Sequence, residues 1–136
     1  MTSNASFNDK TGAIEVAEAY PTQAVGKIVL VIGVRIGNLG EATTRAFAHV
    51  GASTVVITGR EDANLIEAQK AISADYPKTK IQPIKLDLAS FSSIKAAADK
   101  ILNDPSIPHL DLLILNAGGN IPEYKRYETA DGLEYH

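Results

Sequence analysis

The sequence predicts an α/β fold built on a doubly wound parallel sheet. Apolar runs rich in β-branched residues alternate strictly with segments whose apolar residues recur at the helical period. Strands that alternate with helices are joined by right-handed crossovers and therefore run parallel. Pro83 falls inside the third apolar run, and a proline within a strand belongs at a sheet edge. The strand order 3-2-1-4, which puts the third strand at an edge, satisfies this requirement.

The composition is that of an ordinary globular domain, with 136 residues, 45% hydrophobic content and a net charge of −3. A negative balance offers no basic field for nucleic acid, and no apolar run approaches the ~18 residues of a membrane span. The absence of cysteine excludes disulfides and thiolate metal sites, and His49, His109 and His136 lack metal-ligand spacing. We therefore expect a cytoplasmic protein without a metal.

Two parts are predicted along the chain. Residues 1–26 form an N-terminal extension, in which residues 11–20 predict a short helix with Thr11 as its cap and Pro21 as its stop. Residues 27–136 are predicted to form one half of a doubly wound domain.

The four strands of that domain are predicted at residues 28–32, 54–58, 80–86 and 110–115. Each intervening helix is predicted from an apolar stripe. The first ends at Gly51, Asp62 caps the second, Ser90 opens the third, and a further helix begins at Asp131. The stripes are Leu39, Ala42, Thr43, Ala46, Phe47 and Val50; then Leu65, Ala68, Ile72 and Tyr76; then Phe91, Ile94, Ala98, Ile101 and Leu102.

The most informative segment is KIVLVIGVRIGNLG, residues 27–40. A strand, a glycine loop and a helix present backbone N–H groups and a helix N-terminus to a phosphate. Glycine is needed because a Cβ would hold a pyrophosphate away from the backbone. We therefore predict a dinucleotide site whose loop residues are Gly33, Arg35, Ile36, Gly37, Asn38, Leu39 and Gly40.

Four features in this order resemble the short-chain dehydrogenase/reductase family over residues 27–136. They are the glycine loop, Gly59-Arg60, Leu86-Asp87-Leu88 and Asn116-Ala117-Gly118. The Asn-Ala-Gly behind an apolar fourth strand is the most specific of them. The resemblance implies a Rossmann-like sheet, a nicotinamide dinucleotide cofactor, and hydride transfer between the nicotinamide and a carbonyl or alcohol.

The resemblance also assigns roles outside the loop. Asp87 is expected to bond the adenine amino group, or to cap the following helix, and Leu88 to lie against the ring. Asn116 would tie the fourth strand to its neighbours, and Ala117 and Gly118 would let the backbone pass close to the ribose.

The glycine loop departs from the family pattern. Ile32 stands where the family has threonine, and the spacing Gly33-x-x-x-Gly37-x-x-Gly40 adds one residue before the helix. Asn38 also brings bulk close to the phosphates. These departures predict a weakened affinity for the cofactor.

The choice of cofactor depends on Arg60, which lies 60 − 40 = 20 residues beyond Gly40. The residue at the end of the second strand meets the adenosine ribose, and a guanidinium there can pair with a 2′-phosphate. Arg35 supplies a second positive charge, whereas Glu61 adds an anion beside it. We expect NADP(H) rather than NAD(H).

The catalytic serine, and the tyrosine with a lysine four residues on, lie beyond the fourth strand in the family, and the 136 residues end before them. Tyr76 and Lys80 have that spacing, but Pro77 and their place at the amino edge of the sheet exclude them. Tyr124, Lys125 and Tyr127 follow the fourth strand, without assignable roles. We expect a sheet truncated after its fourth strand, no catalytic residue in the chain, and no turnover by the chain alone.

Three further expectations follow from these departures. The uncovered fourth strand predicts self-association. A non-catalytic Rossmann-type module that binds a partner or oligomerises is one alternative, favoured by Ile32 and Asn38. A relative of the extended-type nucleotide-sugar epimerases and reductases is another, suggested by Gly37-x-x-Gly40.

Overall fold

The computed structural model describes residues 7–119 and 127–134. Its centre is a four-stranded parallel sheet in the order β3-β2-β1-β4, which confirms the predicted fold class. The strands are β1 (Ile28–Ile32), β2 (Thr54–Gly59), β3 (Lys80–Lys85) and β4 (Leu112–Leu115).

Helices cover both faces of the sheet. They are α1 (Ala13–Ala19), α2 (Leu39–His49), α3 (Asp62–Asp75) and α4 (Phe91–Leu102), and a 3₁₀ turn, Pro21–Gln23, precedes β1.

The core is split by the sheet into two clusters because successive side chains of a strand point to opposite faces. Val29 and Val31 of β1 pack with β2 and with the α2 and α3 side, together with Leu65 and Ile72. Ile28, Leu30 and Ile32 point the other way, towards α4. A strand buried on both faces must be apolar at every position, which explains the continuous run in the sequence.

The edge position of β3 explains how this strand can contain a proline, Pro83. Pro83 lies opposite Ile57 in the register with β2, and among the described strands β3 pairs with β2 alone. The N–H groups of Lys80 and Leu86 donate towards β2, to the carbonyls of Ser53 and Gly59, and directions alternate along a strand, so position 83 faces away from β2. The missing N–H group therefore removes no hydrogen bond between β3 and β2.

Two helix caps differ from the sequence prediction. Gly12, not Thr11, caps α1; the Thr11 hydroxyl instead accepts the N–H of Asn8, and Glu15 accepts the N–H of Gly12 at 2.7 Å. Glu61, not Asp62, is the N-cap of α3. Ser90 caps α4 as predicted, through a 3.3 Å hydrogen bond from the N–H of Ser93.

The predicted buried faces of α2 and α4 were wrong at several positions. Leu39 and Leu102 are 78% and 80% exposed, whereas the fully buried position on α2 is Thr44. The Thr44 hydroxyl donates to the carbonyl of Gly40 at 2.8 Å, which satisfies its polar group inside the core. On α4 the buried residue is Ala97, one position before the predicted Ala98.

The helix predicted from Asp131 is also wrong over residues 131–134. These residues belong to a turn that is closed by an antiparallel bridge between Glu128 and Glu134. Gly132 has a φ of +76°, a left-handed conformation that ends regular helix. His136 lies outside the described residues.

The described chain contains no helix that is both long and apolar enough to cross a membrane. Within residues 7–119 and 127–134, no group of three or more His, Asp or Glu side chains could hold a metal ion. His49 lies 2.8 Å from Glu18, and His109 lies 3.4 Å from Asp111.

Candidate functional site

The carboxyl ends of β1, β2 and β4 meet in register at one edge of the sheet. Ile32 lies beside Thr58 on β2 and beside Leu115 on β4, so the loops that follow the three strands start side by side. They border a cleft of about 990 Å³. The predicted site residues that line it are Gly33, Arg60, Asp87, Leu88, Asn116, Ala117 and Gly118.

Close backbone packing fixes the glycine loop against the fourth strand. A Cβ on Gly33 would lie 2.7 Å from the Cβ of Ala117, and one on Gly40 would collide with the carbonyl oxygen of Gly33. Gly33 and Gly37 also have positive φ angles of 86° and 81°. These contacts, rather than a ligand alone, require glycine at positions 33 and 40.

Asn116 connects β4 to β1. Its Nδ2 donates to the carbonyls of Ile32 at 3.2 Å and Gly33 at 2.9 Å. This is the tie between strands that the sequence led us to expect. The amide holds the end of β1 where the loop leaves the sheet.

Asn38 caps α2 instead of crowding the cleft. Its Oδ1 accepts the N–H groups of Arg35 at 3.2 Å and Glu41 at 2.9 Å, and its Nδ2 donates to the carbonyl of Gly33 at 3.0 Å. The side chain therefore turns back into its own loop, and whether it affects phosphate binding stays a prediction.

The backbone N–H groups of the glycine loop are of two kinds, those that donate to an acceptor among the described residues and those that do not. The amides of Gly33 and Val34 donate to the Thr58 carbonyl, that of Asn38 to the Arg35 carbonyl, and those of Arg35, Gly37 and Glu41 to side chains of the loop. Within the described part of the chain, three N–H groups find no acceptor. They belong to Ile36, Leu39 and Gly40.

The carboxylate of Glu41, in the first turn of α2, is an anionic group that contacts the glycine loop. Its carboxylate accepts the N–H of Gly37 at 2.6 Å and the Nε of Arg45 at 2.8 Å. Burial acts to raise the pKa of Glu41, but these two partners outweigh burial, so the pKa lies below its usual value. The carboxylate is therefore charged at neutral pH.

The third loop carries Asp87. Its Oδ1 accepts the N–H of Ala89 at 2.9 Å, while Ser90 caps α4. Asp87 therefore does not cap the helix. Among the described residues, its Oδ2 meets no hydrogen-bond donor and lies at the cleft beside Leu88, which is half exposed.

A smaller pocket of about 260 Å³ lies beside the end of β2 and contains both predicted arginines. Arg35 and Arg60 line it together with Glu61 and Asn64. The Nδ2 of Asn64 donates to the carboxylate of Glu61 at 2.8 Å, so this anion is engaged by a side chain of α3. Two arginines and one glutamate therefore border this pocket.

A family model described as short chain dehydrogenase matches residues 27–133, which include all of these loops. The chain belongs to the short-chain dehydrogenase/reductase family.

Individual relatives agree with this membership. An oxidoreductase fscI of Fusarium equiseti is 37% identical over 131 residues, covering 96% of this chain and 49% of that protein. Retinol dehydrogenase 12 of Bos taurus is 36% identical over 114 residues, covering 84% of this chain and 34% of its own length. The chain thus spans half or less of the curated relatives it matches.

Solved structures show the same fold. L-sorbose reductase from Gluconobacter frateurii, complexed with NADPH and L-sorbose, superposes with a TM-score of 0.64 at 24% identity, over 73% of this chain and 36% of that one. A short chain dehydrogenase from Mycobacterium smegmatis gives 0.62 at 27% identity, over 70% and 38%.

Two of the described tyrosines, Tyr76 and Tyr127, lie at opposite edges of the sheet. Tyr76 is the C-cap of α3, just before β3 begins, so it lies at the amino edge as expected. Tyr127 lines the cleft at the other edge. Tyr124 and Lys125 lie outside the described residues.

Two parts of the site were missed in the sequence. The pattern Asn38-x-x-Glu41 is a helix-start signal that could have revealed the Glu41 carboxylate in the loop. The second part is the turn at residues 127–134, which borders the cleft because the Asp131 carboxylate accepts the N–H of Phe91 at 2.6 Å. No local pattern signals that contact, since 40 residues separate the two partners.

Proposed function

We propose that this chain is the cofactor-binding portion of a short-chain oxidoreductase and that it binds NADP(H) at the carboxyl edge of the sheet. The observation that carries this proposal is the pocket beside the glycine loop that both Arg35 and Arg60 line. The cleft, the loop amides and the pocket would hold the parts of one elongated dinucleotide.

The diphosphate would bind at the start of α2. The N–H groups of Ile36, Leu39 and Gly40 remain for its oxygens, and the helix N-terminus favours negative charge. The close approach of Gly40 to the carbonyl of Gly33 fits this use, because it fixes the start of α2 against the loop.

The adenosine end would lie towards β2 and β3. A 2′-phosphate in the smaller pocket could accept bidentate hydrogen bonds from Arg60 and a second contact from Arg35. The Oδ2 of Asp87 would accept the adenine amino group, and exposed Leu88 would pack on the ring. Ala117 and Gly118 leave room for the backbone to pass the ribose.

The reaction that we propose for the whole protein is interconversion of a carbonyl and an alcohol. The bound nicotinamide would supply or accept the hydride. This chain's residues bind and orient the cofactor, and none of them is assigned a catalytic role. We therefore expect the 136 residues to bind the cofactor without turnover.

The test is a titration of the chain with NADPH and with NADH, followed by nicotinamide fluorescence. We expect NADPH to bind at least about tenfold more tightly, because a paired 2′-phosphate adds charge-assisted hydrogen bonds. Adenosine 2′,5′-bisphosphate and ADP, which lack the nicotinamide, should show the same preference. Equal affinities would refute the 2′-phosphate site, and no binding of either dinucleotide would refute the proposal as a whole.

We also propose that the isolated chain self-associates through the fourth strand, β4. Leu113 and Leu115 of β4 are 53% and 77% exposed, and β4 is an outer strand of the sheet that the described residues form. Exposed apolar strand edges pair with other strands.

We expect sedimentation at micromolar concentration to show dimers or larger species, and the substitution of Leu113 and Leu115 by lysine to reduce them. The same double change at exposed Ile66 and Ala63 of α3 serves as the control, since that surface is helical. A monomer that melts cooperatively at this concentration would contradict the proposal.

A further inference from the structure

The glycine loop contains a buried negative charge at the place where a diphosphate would bind. Glu41 is the third residue of α2, and its side chain is only 12% exposed. Its two carboxylate oxygens are held from different sides, Oε2 by the N–H of Gly37 and Oε1 by the Nε of Arg45.

Arg45 only partly neutralises this charge, because it serves a second carboxylate. Its Nη1 donates to Asp75 near the end of α3, while its Nε serves Glu41. Hydrogen bonds from this guanidinium to Asp75 and Glu41 raise the pKa of Arg45 further. The three side chains together carry a net charge of −1, and they connect the loop to α3.

Glu41 therefore performs part of a phosphate's role within the loop. It occupies one amide of the turn and places a negative charge at the positive end of α2. The neighbouring amides of Leu39 and Gly40, which have no acceptor among the described residues, belong to the same first turn. A diphosphate bound to them would lie near a like charge that bulk water screens poorly.

We propose that Glu41 is an affinity-lowering residue of the dinucleotide site and that Arg45 limits its effect. The inference rests on the proposed function. It assigns the charge of Glu41, rather than the shape of the loop, as the feature that sets how tightly the diphosphate is held.

The experiment compares two full-length variants whose predicted effects have opposite signs. Glu41→Gln retains an oxygen for the N–H of Gly37 but removes the charge, so NADPH should bind about fivefold more tightly. Arg45→Gln leaves the Glu41 charge without its cation, so NADPH should bind about threefold more weakly. Both variants break the same ion pair, so a merely structural role would move both affinities in the same direction.

Control experiments distinguish the effect of the charge at position 41 from the effect of the chain's net charge and from a loss of folding. Glu67→Gln makes the same chemical change on the exposed side of α3 and should leave the dissociation constant unchanged. Inorganic pyrophosphate should show the same order of affinities as NADPH, and the differences should shrink as the salt concentration rises. Thermal melting of each variant verifies that it is folded.

The outcomes distinguish this inference from the proposed function. If the wild-type chain binds NADPH and Glu41→Gln binds it equally or more weakly, the inference is overturned and the function stands. If neither NADPH nor pyrophosphate binds to any of the chains, both are overturned. Tighter binding by Glu41→Gln together with weaker binding by Arg45→Gln supports the inference.

Discussion

Replacing Gly33 by alanine is expected to lower the free energy of unfolding by about 3 kcal/mol, because two separate penalties add. The backbone of Gly33 has a φ of +86°, where a side chain is strained. The new Cβ would also lie 2.7 Å from the Cβ and 2.8 Å from the Cα of Ala117. The second contact is with backbone, so relief requires β1 and β4 to separate. Urea denaturation followed by circular dichroism measures the loss.

Gly37 provides the matched control for this substitution. It has nearly the same φ, +81°, but a Cβ there would meet nothing within 4 Å. Gly37→Ala should therefore show the strain without the collision, at a cost of about 1 kcal/mol. Equal losses in the two variants would show that the contact between the glycine loop and Ala117 does not constrain position 33.

Replacing Arg60 by leucine is expected to weaken NADPH binding at least about tenfold while NADH binding changes little. The guanidinium is one of two that line the pocket proposed for the 2′-phosphate, and NADH carries no phosphate there. The preference is measured as the ratio of the two dissociation constants. Contacts that both cofactors share cancel in this ratio, so a reduced preference reports on the 2′-phosphate.

The control for Arg60 is Lys70→Leu, which removes one positive charge from an exposed position on α3. It should leave the ratio of dissociation constants unchanged. If Arg60→Leu weakens NADPH and NADH equally, the arginine supports the fold of the cleft and does not select the phosphate.

The strands could be predicted because, in a strand covered on both faces, the side chains on either face are buried and have to be apolar. β1 and β2 are covered on both faces, so their sequences are continuous apolar runs with clear ends. Pro83 located the edge strand for an equally local reason, the missing N–H group. The loops after the strands could be placed at one edge because parallel strands all end there.

The helix faces and caps could not be predicted as well. Leu39 fits an apolar stripe, yet it is 78% exposed at the start of α2, where the chain has just left the loop. Thr11 is a good cap in isolation, but a preceding turn uses its hydroxyl. In both cases the surrounding structure decided the outcome, and spacing along the chain does not show that structure.

The sequence by itself determined the parallel sheet, the strand order, and the positions of the glycine loop, Arg60, Asp87 and Asn116. Only the tertiary structure decided which amides of the loop remain for a ligand. Gly37 donates to Glu41, whose carboxylate is held by Arg45, and Arg45 is shared with Asp75, 30 residues away on α3. The fold places α2 and α3 over the same core cluster on one face of the sheet, which lets Arg45 reach both carboxylates. Such contacts between distant residues leave no periodic pattern in the chain.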